Sequence, residues 1–514
     1  MIQPAAPNKF VIGFLAILKF LIPFLLIHPA FELQRDEYLY YQQGQHLDLG
    51  YLENPPMLSY LATISSWFGD KEWLVRFWPA FIGALTVIVA CLITARLGGK
   101  TFAQFLAGFG IITGAFLRIH ILFQPNILDI FFWTCSLYFL VRFIQSNSQK
   151  DLLWLAICLA LGWWSKYSVV FIIASIFIGL LLTKQRNILL QKKTYRAAGI
   201  ALLIILPNVW WQYAHKWPLL HHMQELRETQ LVYVNPIDFI KDQFLLLFPV
   251  LIIWIAGLIW FFRNSTYRIF GWIYLSVILL LIFGSGKNYY ALGIYPVLLA
   301  AGGLVWEKIF SVRKWMRYIL AAFVIGLTFP LLPIGLPMMS PEKLATFYKE
   351  KGIDKIGQLK WEDQRDHELP QDFADMLGWK ELSEKAEKAF DTGLPDTAKC
   401  CTIVFCRNYG QAGALKFYSR FKNFVSRVIS DNGSFLLWIP DSLNFKHLLF
   451  VGHHLPGKDD EVFQHFENYY IMDSVTNPLS RQYGDKIIFF RNIDSTGLKL
   501  AQDGLRSDKS RFIR

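Results

Sequence analysis

Cysteine is scarce in this chain, and the cysteines present follow no framework. Six are spread over 514 residues. Cys91, Cys135 and Cys158 fall in apolar segments, and Cys400, Cys401 and Cys406 in the last third. None stands at the paired spacing of a zinc site, and no regular spacing marks a disulfide scaffold. A bridge from Cys400 or Cys401 to Cys406 is one reading of the second group; small side chains on a buried strand is the other. The turn at Asn408-Tyr409-Gly410 lacks the GxGxxG spacing of a nucleotide cradle, leaving at most an anion at a helix N-terminus. No small-residue cleavage site separates the first apolar segment from the acidic loop after it, so that segment reads as a retained span. No internal repeat is evident, and a single charge, Lys19, reads as mid-span. A transporter built from repeated halves with broken helices predicts more of both.

What is abundant is apolar sequence in long runs. The chain is 54% hydrophobic, with mean hydropathy +0.33, and the apolar residues do not alternate with polar ones. That pattern predicts a polytopic α-helical membrane protein. Eleven spans are expected, at 10–30, 74–95, 101–117, 126–146, 151–165, 167–183, 197–215, 243–262, 269–284, 290–307 and 317–338. From about Ser340 no run is long enough to cross a bilayer. The expected division is a transmembrane domain at 1–340 and a soluble α/β domain at 341–514, with the boundary in a proline-rich stretch at 330–341. In the second part, a helix is expected at 372–390, another from Tyr409, and strands at 401–406, 435–439, 448–451 and 486–491.

The net charge of +12 would suit a nucleic-acid partner, but its location does not. Residues 1–340 hold 26 Lys+Arg and 14 Asp+Glu, whereas residues 341–514 hold 25 of each. The excess lies in the membrane part, where basic loops mark the cytoplasmic side. With the N-terminus inside, sixteen basic residues fall in the inner loops and nine outside. An odd number of spans then exports the C-terminal domain, and the first loop also faces outward. Lys19 either snorkels to the inner face or lines a polar cavity. Trp163-Trp164 and Trp210-Trp211 are expected in the interfacial aromatic belt.

The first outer loop, 31–72, holds Glu32, Asp36, Glu37, Asp48, Glu53, Asp70 and Glu72 against only Arg35 and Lys71, interleaved with tyrosines. It reads as short amphipathic helices lying on the membrane. Carboxylates at a membrane face are costly unless solvated, paired or used, and composition alone leaves a solvated acidic loop open. The string Asp36-Glu37-Tyr38-Leu39-Tyr40-Tyr41, then His46, Gly50-Tyr51 and Glu53-Asn54-Pro55-Pro56, resembles the first outer loop of GT-C glycosyltransferases. It is most similar to the bacterial branch related to protein O-mannosyltransferases and lipid A aminoarabinose transferases. Weaker similarities follow in order: Asp129 in Gln124-Pro125-Asn126-Ile127-Leu128-Asp129, the turn from Gly162 to Lys166, Pro207-Asn208-Val209-Trp210-Trp211, and Lys287-Asn288-Tyr289-Tyr290 before Tyr295-Pro296.

The resemblance implies an integral membrane glycosyltransferase with a polyprenyl-phosphate sugar donor such as an undecaprenyl phosphate sugar. Its acceptor is a hydroxyl on lipid A, an envelope glycan or a protein, and transfer takes place on the outer side of a bacterial inner membrane. It implies that Asp36 is the general base of an inverting displacement; a helix N-cap or a salt bridge to Arg35 is the alternative. Glu37 orients Asp36 or caps. Glu53 holds the acceptor or fixes the loop to a basic partner, and Pro55-Pro56 sets a rigid turn. Asp129 binds acceptor or anchors its helix end. Lys166, Lys287 and Arg118 are candidates for the lipid phosphate, with interfacial anchoring as the alternative for each. Relatives often carry Lys after the loop glutamate, where this chain has Asn54. His221 and His222, with Glu225 and Glu228 close by, are candidate ligands for a divalent metal, although no spacing compels one. The other function classes in view are a transporter or flippase and a non-catalytic assembly protein for envelope polysaccharide.

Overall fold

The computed structural model describes residues 3–229, 231–353, 357–455, 457 and 460–512. Each expected span falls on helix. Among the described residues six helices are long and apolar enough to cross a membrane: Lys9–Leu26, Glu72–Arg96, Pro125–Ser146, Lys192–Ala214, Asn288–Ile309 and Trp315–Gly335. Two bent pairs raise the number to eight, Val169–Leu181 with Lys184–Leu190 and Pro236–Leu245 with Phe248–Arg263. The count of eleven is therefore not reached by length and composition. The remaining segments are short, such as Gln149–Ser165 and Arg268–Phe283.

The expected span at 101–117 is broken for a visible reason. Helix Thr101–Gly110 stops, and Gly114 takes a left-handed φ of 60° before the short helix Ala115–Ile119. That turn brings Gly114 against the Leu246 carbonyl, which accepts the Ala115 N–H at 2.8 Å. Only glycine fits a left-handed turn so close to another backbone. Elsewhere helices Leu251–Arg263 and Tyr295–Ile309 pack backbone against backbone, with Gly257 facing the Leu298 carbonyl and Gly302 the Ile253 carbonyl. Small residues at such crossings are how apolar helices associate where lipid gives no hydrophobic drive. Lys19 is 2% exposed and donates to the Phe116 carbonyl at 2.8 Å, so it points inward at a helix end. That favours the polar interior over snorkelling.

The C-terminal part carries one five-stranded sheet of order β2-β1-β3-β5-β4. Its strands are β1 (Thr402–Cys406), β2 (Val428–Ile429), β3 (His447–Gly452), β4 (Phe466–Ser474) and β5 (Lys486–Ile493). β2, β1 and β3 are parallel; β5 and β4 join antiparallel. Helix Tyr409–Tyr418 follows β1 as the crossover a parallel pair needs. Three expected strands match β1, β3 and β5. The run at 435–439 is instead a short helix, Phe435–Trp438. Four consecutive apolar residues do not distinguish strand from buried helix. The helix expected at 372–390 is split by Gly378 at φ 85° into Gln371–Ala374 and Trp379–Asp391. Cys406 is buried and free, so the bridge to Cys400 or Cys401 is absent.

The acidic loop does form two helices, Arg35–Gln43 and Met57–Ser66. They do not lie freely on the membrane. They are roofed by the C-terminal part, and Glu37, Tyr38, Tyr41 and Tyr51 are buried. Tyr38 packs between Trp379 and Phe417. The Glu32 carboxylate accepts the backbone N–H groups of Trp379 at 2.7 Å and Lys380 at 3.2 Å, at the start of helix Trp379–Asp391. Lys380 in turn pairs with Glu72 at 2.7 Å, and Arg420 with Asp70 at 2.5 Å. Trp211, expected in the aromatic belt, is buried beneath Gly50, which has no room for a side chain; Trp210 stays exposed.

Burial lifts the Glu32 carboxyl to about 7, against the pull of the Trp379 and Lys380 N–H groups and the Lys380 charge. Its folded value lies above the unfolded one, so the folded state holds the extra proton between the ordinary value near 4.5 and about 7. The unfolding free energy then falls as pH rises through that window. Glu32→Gln, which keeps an acceptor for both N–H groups, is expected to flatten the decline in thermal midpoint over this range in detergent-solubilised protein.

Candidate active site

The candidate site lies where the loop at 31–72, the neighbouring helix ends and the C-terminal part meet. Helix Arg35–Gln43 sets its centre. Gln34 caps it, accepting the Asp36 N–H at 2.9 Å. Glu37 completes the cap by accepting the Gln34 N–H at 2.6 Å. The second Glu37 oxygen accepts the Phe123 N–H at 2.7 Å and so ties this helix to the 111–124 turn. Burial pushes the Glu37 carboxyl up to about 7 despite these donors. Glu37 thus caps and braces this helix from a buried position.

Asp36 faces the other way. Its Oδ1 receives the Tyr409 hydroxyl at 2.7 Å and Arg35 Nε at 3.2 Å. Both bonds fall on Oδ1, and the side chain is 24% exposed. Burial works most strongly against ionisation of Asp36. Arg35, the Tyr409 hydroxyl and the charge of Lys287 outweigh it and hold the carboxyl below its ordinary range. Gln34 takes the N-cap role, and the salt bridge to Arg35 is present at 3.2 Å beside the Tyr409 bond. Lys287 stands close enough to act on both Asp36 and Glu362.

A second cluster lies beyond two tyrosines. Lys166 Nζ donates to Asn126 Oδ1 at 2.6 Å and sits 3.7 Å from the centre of the Tyr290 ring and 5.4 Å from that of Tyr289. Asp129 accepts from Ser168 Oγ at 2.8 Å, while its Oδ1 has no hydrogen-bond partner. Tyr289 lies within electrostatic reach of Asp36 and Tyr40, and Tyr290 of Asp129. The two tyrosines thus bridge Asp36 and Lys166. Five sequence-predicted residues, Asp36, Glu37, Asp129, Lys166 and Lys287, are gathered in or around one site.

Four others take different positions. Glu53 accepts the Ser434 N–H at 2.6 Å, the Ser434 hydroxyl at 2.5 Å and Gln43 Nε2 at 3.2 Å. It fixes the loop, but to a neutral serine of the C-terminal part rather than to a basic partner. Arg118 covers the Phe373 ring at 4.4 Å and pairs with Asp372 at 3.4 Å, a contact between the two parts of the chain. His221 meets Phe512 edge-on, and His222 acts electrostatically on Glu53. No three His, Cys, Asp or Glu side chains gather as a metal site among the described residues. Asn54 forms a reciprocal amide pair with Gln43, at 2.9 and 3.1 Å. The anion reading of the 408–410 turn also fails: Asn408 and Gln411 form a capping box that occupies the local N–H groups. Tyr409 instead points its hydroxyl at Asp36, 373 positions away in sequence. Nothing in the local sequence signals that contact.

Beside Arg35 a cavity of about 530 Å³ opens into the C-terminal part, lined by Trp361, Arg407, Gln411, Arg481 and Asp485 among others.

Residues 53–211 match the family described as dolichyl-phosphate-mannose-protein mannosyltransferase. The lipid A galacturonosyltransferase RgtD of Rhizobium johnstonii is 24% identical over 226 residues, 42% of this chain and 46% of that protein. The chain thus aligns with about half the length of that relative. The structure of ArnT from Cupriavidus metallidurans bound to undecaprenyl phosphate superposes with a TM-score of 0.57 at 12% identity, covering 95% of this chain and 99% of that one. Its apo form gives 0.58 at 12%, covering 94% and 97%.

Glu53→Ala leaves the buried Ser434 N–H and hydroxyl without their acceptor, at about 1–3 kcal/mol for each group left unpaired. The expected result is a lower thermal midpoint and faster limited proteolysis of the C-terminal part, with the membrane part resistant. Residues 53–211 are thus similar to the mannosyltransferase family, and the superposition along almost the whole length shows that the chain has the fold of the ArnT structures.

Proposed function

We propose that this chain is an integral membrane glycosyltransferase that moves a sugar from a polyprenyl-phosphate carrier to an acceptor hydroxyl on the outer side of a bacterial inner membrane. One observation carries this reading: a partly exposed carboxylate, Asp36, is kept ionised by a hydroxyl and a guanidinium on one oxygen, with the charge of Lys287 within reach. Inversion follows from a single displacement. The acceptor hydroxyl approaches Oδ2 and gives up its proton as its oxygen bonds the anomeric carbon. The bond from that carbon to the phosphate oxygen breaks, and its electron pair leaves with the lipid phosphate. A phosphate leaves without an acid, so one carboxylate suffices where glycosidases need two.

Lys287 and Lys166 supply charge for the departing phosphate, Lys166 against the Tyr289–Tyr290 pair. Arg118 is committed to Asp372 and has a lesser claim. Asp129 anchors the Lys166 turn through Ser168. Tyr409 and Arg35 are positioning residues for Asp36. The 530 Å³ cavity beside Arg35 suits the polar end of the acceptor. RgtD acts on lipid A, which favours a lipid acceptor over a glycan or protein one. The order of charged loops favours a cytoplasmic N-terminus and an exported C-terminal part, within a boundary near 340. No nucleic-acid or metal partner is part of the proposal.

The test is purified protein in nanodiscs given a synthetic polyprenyl-phosphate sugar and lipid A. Asp36→Asn is expected to lower turnover at least about 10²-fold, the scale of a lost general base, with donor binding retained. Lys166→Met and Lys287→Met should weaken donor binding. Turnover by Asp36→Asn at the wild-type rate would refute the role of Asp36. Tyr409→Phe removes a donor to the ionised form, so the acid limb of kcat/KM is expected to move to higher pH. Asp36 stays ionised, and the enzyme active, until pH falls through its folded value; the variant should lose activity sooner on acidification.

A further inference from the structure

Cys400 and Cys401 are adjacent in sequence, and their Sγ atoms lie 2.9 Å apart on the surface of the C-terminal part. Cys400 is exposed and Cys401 partly so, whereas Cys91, Cys135, Cys158 and Cys406 are buried. The pair has no role in the site described above. From this geometry we infer that Cys400 and Cys401 form a reversible vicinal disulfide, a thiol-exchange site on the C-terminal part. The sulfurs need to close by less than about 1 Å to reach the bond length of about 2.05 Å.

The reaction is a two-step exchange with an external disulfide. One cysteine thiolate attacks that disulfide and expels one thiol. The neighbouring thiolate then attacks the mixed disulfide and expels the second. Two cysteine thiols become one disulfide, and the external disulfide becomes two thiols, so electrons and protons balance. Adjacent Cα atoms are about 3.8 Å apart, closer than the usual 4.4–6.8 Å across a disulfide. The closed ring is therefore strained and readily reopened, as labile and regulatory disulfides are.

The backbone at this point is held on both sides. The Cys400 carbonyl accepts Arg427 Nη1 at 3.0 Å. The Cys401 carbonyl accepts the N–H groups of Lys446 at 2.8 Å and His447 at 3.1 Å, where β3 begins beside β1. Closing the ring rotates the peptide that joins the two cysteines and with it the Cys400 carbonyl; the Cys401 carbonyl follows through the Cα of Cys401, to which its peptide is bonded. β1 runs from this pair to Cys406, three residues before Tyr409. The inference does not depend on the proposed transferase activity.

The test uses the full-length protein in detergent, equilibrated with mixtures of reduced and oxidised glutathione and then blocked with N-ethylmaleimide after denaturation. Peptide mass spectrometry should show residues 400–401 losing two hydrogens, instead of gaining two maleimides, as the mixture becomes oxidising. Cys400→Ser and Cys401→Ser, both surface changes, should each abolish that species completely. Hydrogen exchange at Lys446 and His447 should quicken about tenfold in the oxidised form, the scale of a lost hydrogen bond. Two maleimides at 400–401 at every glutathione ratio would overturn the inference. So would a bridge to Cys406 or to a second chain.

Discussion

Burying a carboxylate near a membrane is unfavourable unless donors meet it, and the first outer loop buries several within a few turns. Each draws its donors from another part of the chain. Glu32 takes two backbone N–H groups from the helix at Trp379. Glu37 takes one from Phe123. Glu53 takes the N–H and hydroxyl of Ser434, and Asp36 takes the Tyr409 hydroxyl. Removing a partner exposes an uncompensated buried charge, which costs far more than a surface pair yields. The loop, the outer helix ends and the C-terminal part are therefore held in one register by the same requirement.

Within that arrangement the carboxylates divide by environment. Glu32 and Glu37 are pushed up to about 7 by burial, with only neutral N–H donors in contact. Asp36 is less deeply placed, and although burial also works against its ionisation, Arg35, Tyr409 and Lys287 carry it the opposite way. Neighbouring groups set apart in this fashion are a mark of functional sites. In the proposed reaction, a low value keeps Asp36 ionised but makes it a modest proton acceptor. That suits a displacement in which the leaving phosphate, rather than early deprotonation, drives the reaction.

Much of this was legible beforehand. The long apolar runs gave the helical membrane part, and the loss of such runs near Ser340 gave the change to strand and helix alternation. The strings from Asp36 to Tyr41 and from Lys287 to Tyr290 pointed to residues that the fold brings close together. What was not legible is long-range pairing. Tyr409 sits in a turn whose capping chemistry mimics an anion site, and its true partner is 373 positions away. Ser434 carries no motif, so its bonds to Glu53, a residue expected either to hold the acceptor or to fix the loop to a basic partner, could not be read from the sequence. The edge strand β4 lacks alternation because Tyr469, Tyr470 and Ile471 are exposed, and the break at Gly114 depends on where Leu246 lies in space.

The central claim is that Asp36 performs the transfer. The most direct measurement is mass spectrometry of lipid-linked sugars and lipid A from cells deleted for this protein and complemented with the wild type or Asp36→Asn. The account predicts that one envelope modification disappears, and its lipid-linked donor accumulates, in both the deletion and the Asp36→Asn strain, the mass identifying the sugar. Full restoration of the modification by Asp36→Asn would contradict it.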